Sequence, residues 1–289
     1  MDEIETANAV QAAREAATAI ANILSRRRGI RVRSAFVRDR TGQRSAPMGK
    51  LIAAGGRCGG IALKVYLALL WLRPVVPTEI SPGKLATLIG IGHPAKNGPR
   101  RVGEALRILA EYGLITAERR RGGPPKVALL REDGHGGRYF APRGNDDDYY
   151  FYLPTALWTS GELQKLTTPG LALLLAIMAE QKSPGAAQWW STKAFADRIG
   201  LSPATRTRGT RELQKAGLIS VERRRDPRPG SIRADPMHNV YALTGMAVWN
   251  EQNVRRDGRK SARADAAGTP EELMAQLKNL LAKVERGEL

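Results

Sequence analysis

The chain has 289 residues, of which 42% are hydrophobic and 26% charged, an ordinary globular composition that excludes wholesale disorder. This length corresponds to about two domains. Lysine and arginine number 46 against 28 aspartate and glutamate, which gives a formal net charge of +18. A field of this sign attracts polyanions, so nucleic acid is the leading partner class.

The cysteine content and the N-terminus set the expected compartment. Cys58 is the only cysteine, which excludes an internal disulfide framework, and we expect it to be a small buried side chain. The first residues are acidic where a signal peptide is basic, and no uncharged apolar run approaches the roughly 18 residues of a membrane span. These features predict a soluble cytoplasmic protein without membrane contact.

Residues 1–50 predict an N-terminal helix followed by a basic arm. The Ala-rich stretch from Glu3 to Leu24 has a narrow apolar stripe, which leaves open docking on the protein, dimerisation or a solvated helix. The run from Ser25 to Lys50 holds nine basic residues opposed only by Asp39. Such a run favours a segment that becomes ordered on meeting a polyanion, and it could lie along a DNA backbone.

Two parts of the chain resemble each other. The matched blocks, in the same order in both copies, are Gly60–Ala68 with Gly170–Met178, Ser81–Ile91 with Ser191–Leu201, and Leu109–Arg121 with Leu213–Arg225. The first two matches share one offset, and the third follows a loop that is longer in the first copy. Three blocks in one order indicate an internal repeat.

Each copy predicts three helices and a β-hairpin. The helices are predicted at about 60–72, 81–90 and 98–112 in the first copy and at 169–181, 191–200 and 203–216 in the second. Ser81 and Ser191 are suited to capping the second helix, and Gly113 and Gly217 to ending the third. The Arg-rich stretches that follow predict two short antiparallel strands in each copy. The expected fold is mainly α with small β-hairpins, an α+β class.

The second copy carries a recognisable pattern. Ser202-Pro203-Ala204-Thr205 followed by Leu213 to Ile219 resembles the winged helix-turn-helix of bacterial DNA-binding proteins, in which Leu, a helix-ending Gly and Leu-Ile lead from recognition helix into wing. The similarity covers about 60–131 and 165–245. Two such units in one chain resemble plasmid replication initiators. The resemblance implies two tandem winged-helix domains, 51–141 and 142–249, with the linker and C-terminal amphipathic helix at 250–289.

The resemblance places the third helix of each copy in a major groove. In the second copy we expect Ile199 and Leu213 to face the core, which turns Thr205, Thr207, Arg208 and Arg211 toward DNA. An arginine can bond guanine O6 and N7 together, and a threonine can touch a thymine methyl. A solvated face that touches only phosphates is the alternative. The family pattern has apolar residues at Arg206 and Thr210, so either the core is thinner here or the register shifts.

The first copy keeps apolar residues at those two places, Val102 and Leu106. Its exposed set is then expected to be Arg100, Arg101, Gly103, Glu104 and Arg107. Glu104 stands where the second copy has Arg208. A carboxylate there could accept from cytosine N4, but we favour weaker DNA contact by the first unit.

Both hairpins carry arginine triplets that suit phosphate or minor-groove contact, the alternative being a gain in solubility alone. With Lys126, Arg228 and Arg233 nearby, they extend the basic surface. The complete set of predicted DNA-binding residues is Arg100, Arg101, Arg107, Arg119, Arg120, Arg121, Lys126, Thr205, Arg206, Thr207, Arg208, Arg211, Arg223, Arg224, Arg225 and Arg228.

The segments outside the copies carry weaker signals. Asp146 to Asp148 are interpreted as a solvated linker rather than a divalent-ion site, because adjacent side chains point apart. Tyr149 to Tyr152 predict a strand that opens the second domain, with stacking of single strands as the alternative. The helix predicted after Thr269-Pro270 has a leucine stripe that needs a partner, either a second protomer or its own chain.

No catalytic set emerges from the sequence. The three histidines lack metal-ligand spacing, and no Gly-rich loop precedes Lys-Ser or Lys-Thr. We therefore expect no enzyme activity, cofactor or metal. The resemblance implies a double-stranded DNA-binding replication initiator, associated with plasmid or nucleoid, that recruits host replication proteins. A transcriptional repressor and a nonspecific architectural or partition adaptor are the alternatives.

Overall fold

The computed structural model describes residues 3–24, 29–39, 46–54, 58–91, 96–144, 148–181, 183, 185–225, 237–248 and 275. Within these ranges the chain is largely helical, with three small antiparallel sheets. The predicted α+β class is confirmed. The C-terminal linker and helix lie outside the described residues, apart from residue 275.

The elements before the second copy run as follows. The N-terminal segment contains α1 (Glu3–Ile23), β1 (Gly29–Arg33), α2 (Ser34–Val37) and α3 (Pro47–Ala54). The first copy contains α4 (Gly59–Leu72), β2 (Thr78–Glu79), α5 (Pro82–Leu88), α6 (Gly98–Glu111), β3 (Ile115–Arg120) and β4 (Gly123–Leu129). Cys58, expected to be buried, is half-buried at the edge of the core.

The second copy follows a short connecting region. That region contains β5 (Tyr150–Pro154), α7 (Ala156–Thr159) and α8 (Glu162–Lys165). The second copy contains α9 (Thr168–Glu180), α10 (Thr192–Ile199), α11 (Pro203–Lys215), β6 (Ile219–Arg225) and β7 (Met237–Leu243). A 3-10 turn, Gly245–Ala247, follows β7. The aromatic run was predicted as a strand, and β5 confirms it.

The predicted helices form because their ends are capped as the sequence indicates. The Ser191 hydroxyl accepts a hydrogen bond from the Ala194 amide at 3.0 Å, and that of Ser202 accepts from Thr205 at 3.2 Å. After α11 the chain turns at Gly217, whose φ of 67° is in the left-handed region that glycine tolerates best. The six helices of the two copies lie within two residues of their predicted bounds, and all six are confirmed.

Each copy also contains a short extended stretch between its first and second helices, which the sequence did not indicate. In the first copy Thr78 pairs with Val127, giving a sheet of order β2-β4-β3. In the second copy Gln188 pairs with Tyr241 in an isolated bridge. The offset that aligns Ser81 with Ser191 also aligns Thr78 with Gln188. The two copies therefore also share this extended stretch, which pairs with the last strand of the hairpin in each.

One hydrophobic core joins the N-terminal segment and both copies. Buried side chains of α1, α4, α6 and α9 belong to a single cluster of contacting residues. On α1 the inward stripe is formed by Ala13, Ala16, Ala17 and Ile20, all fully buried. Of the three possibilities left open for this helix, docking on its own chain is confirmed.

The sequence predicts that the basic run becomes ordered only on meeting a polyanion, and this is wrong for residues 29–39 and 46–50. Strand β1 pairs with β5, with Ile30 opposite Leu153. Beyond it, the Asp39 amide donates to the carbonyl oxygen of Arg198 at 2.9 Å. Apolar residues between the arginines supply the burial that orders this segment. Residues 25–28 and 40–45 lie outside the described residues.

Arg33 helps to order residues 29–39, and its contacts show that the prediction for Asp148 is wrong. Its guanidinium is 1% exposed and forms ion pairs with Glu132 and Asp148. It also donates to the Phe140 carbonyl oxygen at 2.6 Å. A buried guanidinium requires such partners, so Asp148 is a buried counter-ion and not part of a solvated linker. Asp146 and Asp147 lie outside the described residues.

The two carboxyl groups respond differently to this site. Burial raises the pKa of Glu132 above its usual value despite the charge of Arg33. For Asp148, burial also pushes the pKa upward, but hydrogen bonds from Arg33 and the Arg143 amide outweigh it, so its pKa lies below the usual range. The contacts of this cluster therefore stabilise the ionised form of Asp148 more than that of Glu132.

Candidate nucleic-acid interface

Helix α11 presents a polar face outward and a narrow apolar edge inward. Leu213 and the preceding Ile199 are fully buried, as predicted. Thr207, Arg208 and Arg211 are exposed. Among the described residues, no carboxylate lies within 4.0 Å of either arginine. Both guanidinium groups are therefore free to meet an anion.

The two threonines of this face use their hydroxyls within the helix. The Thr205 hydroxyl lies 2.9 Å from that of Ser202, and Thr207 donates to the Pro203 carbonyl oxygen at 3.1 Å. Thr205 is half-buried. The two arginines are consequently the principal hydrogen-bond donors of this face.

Arg206 packs inward, unlike the other predicted contacts of α11. Its guanidinium lies 5.3 Å from the ring centroids of both Phe195 and Tyr241. Its Nε donates to the Tyr241 hydroxyl at 3.1 Å. The register of the helix is thus not shifted, because a stacked guanidinium fills the place where the family pattern has an apolar side chain.

Two residues fix α11 against α9. The Glu212 carboxylate accepts hydrogen bonds from the amide and hydroxyl of Thr167, the residue before α9. Gly209 lies so close to α9 that a Cβ there would be 2.5 Å from the Pro169 carbonyl oxygen. A glycine in the middle of a helix is the sequence signal that could have indicated this close approach.

A half-buried lysine lies near the same contact. Lys64 of α4 donates to the Gln164 carbonyl oxygen at 2.7 Å. Burial lowers the pKa of Lys64 to about 8, and the nearby charge of Glu212 opposes that shift. The first copy thus contacts the connecting region before the second copy through a lysine that burial makes easier to deprotonate.

The corresponding helix of the first copy, α6, is electrostatically different. Val102 and Leu106 are buried as predicted, and Arg100 is exposed and Arg101 half-buried. Arg107 forms ion pairs with Glu104 and Glu111 on its own helix. The hydrogen bond from Arg107 lowers the pKa of Glu104, which keeps that carboxylate charged. The charge of Arg107 is already matched within α6.

The hairpins expose their arginine triplets. Arg223, Arg224 and Arg225 are exposed on β6, as are Arg119, Arg120 and Arg121 around the tip of the first hairpin. Arg224 also contacts Glu222 at 2.7 Å, and Arg120 forms an ion pair with Glu79. Lys126 is half-buried opposite Glu118. Arg228 and Arg233 lie outside the described residues.

Strand alternation divides the second hairpin into two faces. One face of β6 is formed by Val221, Arg223 and Arg225. This face begins at Val221, which lies opposite the core residue Tyr241. Glu222 and Arg224 share the opposite face. Two of the three arginines therefore continue the side of the hairpin that meets α11, which brings the basic groups of helix and strand to one side of the second copy.

Comparison of the chain with protein-family models, with curated proteins and with solved structures returns no match. Among the described residues, no three His, Cys, Asp or Glu side chains are grouped to hold a metal ion. No described helix is long and apolar enough to cross a membrane. The function is therefore inferred from the geometry of the two copies.

Proposed function

We propose that the chain is a sequence-specific double-stranded DNA-binding protein with two tandem winged-helix units, acting as a replication initiator of a plasmid or mobile element. The observation that carries the proposal is the exposed face of α11. Arg208 and Arg211 stand there without carboxylate partners among the described residues, beside a hairpin with three exposed arginines.

The order of elements supports the winged-helix assignment. Helix, extended stretch, two helices and a hairpin follow one another in both copies. In both, the extended stretch pairs with the last strand of the hairpin, through Thr78 and Val127 in one and Gln188 and Tyr241 in the other. This arrangement leaves the third helix and the hairpin on the surface, where each can enter or flank a groove.

The two copies divide the work unequally in this proposal. In the second unit α11 enters the major groove, where the Arg208 and Arg211 guanidinium groups donate to O6 and N7 of guanines. The arginines of β6 bind phosphates and set the position along the duplex. In the first unit Glu104 and Glu111 already hold Arg107, so this unit contributes mainly backbone contacts.

Two units in one chain favour initiation over repression. They supply two DNA contacts without a second protomer, which suits directly repeated sites, whereas a repressor dimer is matched by a palindrome. An initiator also has to recruit host replication proteins, which are the protein partners that this proposal implies.

Selection of random duplex DNA by the purified protein at about 150 mM salt tests the proposal. We expect a motif bound about a thousandfold more tightly than random sequence, recurring as direct repeats. Arg208→Ala with Arg211→Ala should flatten the preference. Arg223→Ala, Arg224→Ala and Arg225→Ala together should weaken all sequences alike and reduce the salt slope. Arg14→Ala with Arg138→Ala, outside α11 and both hairpins, is the charge-matched control.

The same experiment distinguishes the alternatives. Retention of DNA without any motif would overturn the proposal in favour of an architectural or partition adaptor. A single palindrome in place of repeats would favour a repressor.

A further inference from the structure

An aromatic side chain lies exposed beside strand β7 of the second hairpin. Trp189 is 50% exposed although three other tryptophans, Trp71, Trp158 and Trp190, are buried. Its indole stacks on the His238 imidazole with ring centroids 4.4 Å apart and planes 30° from parallel. One face of the indole is therefore covered by His238, and the half-exposed ring offers its other face to solvent.

The backbone around Trp189 is held firmly. Gln188 exchanges two hydrogen bonds of 2.7 Å with Tyr241, one in each direction. Trp190 is buried against Phe195 and Tyr241, with centroids 5.5 and 5.7 Å away. With fixed neighbours on both sides, Trp189 forms a preorganised surface that loses little side-chain freedom when a ligand stacks on it.

The first copy has a different residue at this place. The repeat aligns Trp189 with Glu79, and Arg224 with Arg120. In the first copy Glu79 forms an ion pair with Arg120 of the hairpin. The second copy has an aromatic ring instead of that carboxylate. The substitution removes a group that repels nucleic acid and adds one that can stack on a base.

One arginine shares the face of the hairpin on which Trp189 lies. Arg224 stands directly opposite His238 in the strand ladder, so both side chains project from that face, whereas Arg223 and Arg225 project from the face that meets α11. Glu222 accompanies Arg224, but the two side chains are 63% and 58% exposed, and an ion pair at that exposure contributes little. A flat open ring beside an exposed guanidinium group is a combination that binds the bases and phosphates of single strands.

We propose that Trp189 is a stacking platform for an unpaired base of single-stranded DNA, with Arg224 of β6 holding an adjoining phosphate. This site goes beyond the proposed reading of duplex DNA, which uses the exposed face of α11. A protein with both sites holds duplex through α11 and an unpaired strand beside its second hairpin.

The test uses the full chain and a labelled oligothymidylate of about 12 nucleotides, within the range that such sites cover. An abasic oligonucleotide of equal length and charge is the companion probe, with fluorescence anisotropy as the readout. We expect the wild-type protein to bind the thymidylate about tenfold more tightly than the abasic probe. Trp189→Ala and Trp189→Glu, which installs the residue of the first copy, should abolish that difference, whereas Trp189→Phe should keep most of it.

Val76→Ala, at an apolar residue exposed to 46%, is the control and should change nothing. Duplex selection with Trp189→Ala should return the wild-type motif, so failure of the platform and failure of duplex recognition give separate results. Equal binding of thymidylate and abasic probes by the wild type, or unchanged thymidylate preference in Trp189→Ala, would overturn the proposal.

Discussion

The guanidinium of Arg206 stacks on the ring of Tyr241 and donates to its hydroxyl, so one residue pair joins the proposed recognition helix to the last strand of its hairpin. The ring of Phe195 completes the site on the other helix of the motif. Helix α10, helix α11 and strand β7 therefore meet at one cation. This contact joins the helix to the hairpin.

Arg206→Ala should lower the free energy of unfolding by about 1 to 3 kcal/mol, because it removes two cation–π contacts and a hydrogen bond. Tyr241→Phe removes only the hydrogen bond and should cost about 1 kcal/mol. Urea unfolding of both single variants and the double variant measures the coupling. Strictly additive losses would mean that the two residues do not stabilise each other.

Glu104→Gln with Glu111→Gln should strengthen binding of the protein to any duplex. The change releases Arg107 from its two partners, and the freed guanidinium adds about one phosphate contact, which steepens the salt dependence by about one. Titrations at several salt concentrations measure this slope. As a control, Glu5→Gln with Glu15→Gln on α1 alters the net charge equally and should leave the slope nearly unchanged. If both pairs of substitutions changed the slope equally, the effect would come from net charge and not from the release of Arg107.

Asp148→Asn should change how stability depends on acid pH. The pKa of Asp148 is lowered in the folded protein, so its contribution is fully present above the unfolded pKa of about 4 and is lost as pH falls through the folded pKa. The variant should melt below wild type at neutral pH, and the gap should narrow as pH falls below about 4. Thermal unfolding from neutral to acid pH measures it, and the exposed Asp197→Asn should show no such narrowing.

Lys64 predicts a second pH dependence, of the same sign but at alkaline pH. Its pKa is about 8 in the folded protein and about 10.4 in the unfolded chain. The unfolded chain binds more protons between these values, so the contribution of Lys64 to stability rises with pH across that window. Relative to wild type, Lys64→Met should raise the melting temperature most below pH about 8, and this gain in stability should disappear toward pH about 10. Parallel melting-temperature profiles would show that burial does not shift this amine.

Local signals in the sequence were sufficient for the helices and the hairpins. Serine caps, helix-ending glycines and apolar spacing identify elements within one copy, and the repeat supplies each prediction twice. Arg33 could not be placed in this way. Its carboxylate partners Glu132 and Asp148 lie 99 and 115 residues away, and only the folded chain brings them together.

Only part of the candidate site could be predicted, because local signals place some of its residues and contacts between distant elements place the others. Arg208 and Arg211 follow from the helical periodicity once Leu213 is assigned to the core. The inward position of Arg206 depends on Phe195 and Tyr241, which approach it from two other elements. The exposed position of Trp189 depends on the pairing of Gln188 with Tyr241 and on His238 of β7, which the local sequence around Trp189 does not indicate.

The pairing of β1 with β5 determines how the protein can be divided. A fragment that begins at residue 142 retains β5 but lacks the strand that covers it, which exposes Leu153 and an unpaired backbone edge. It also lacks Gly49, where a Cβ would lie 2.8 Å from the Ile199 carbonyl oxygen at the end of α10. The second copy is therefore completed by chain that precedes the first. The halves are repeated in sequence but are not interchangeable modules, and a folded second half needs residues 29–54 supplied with it.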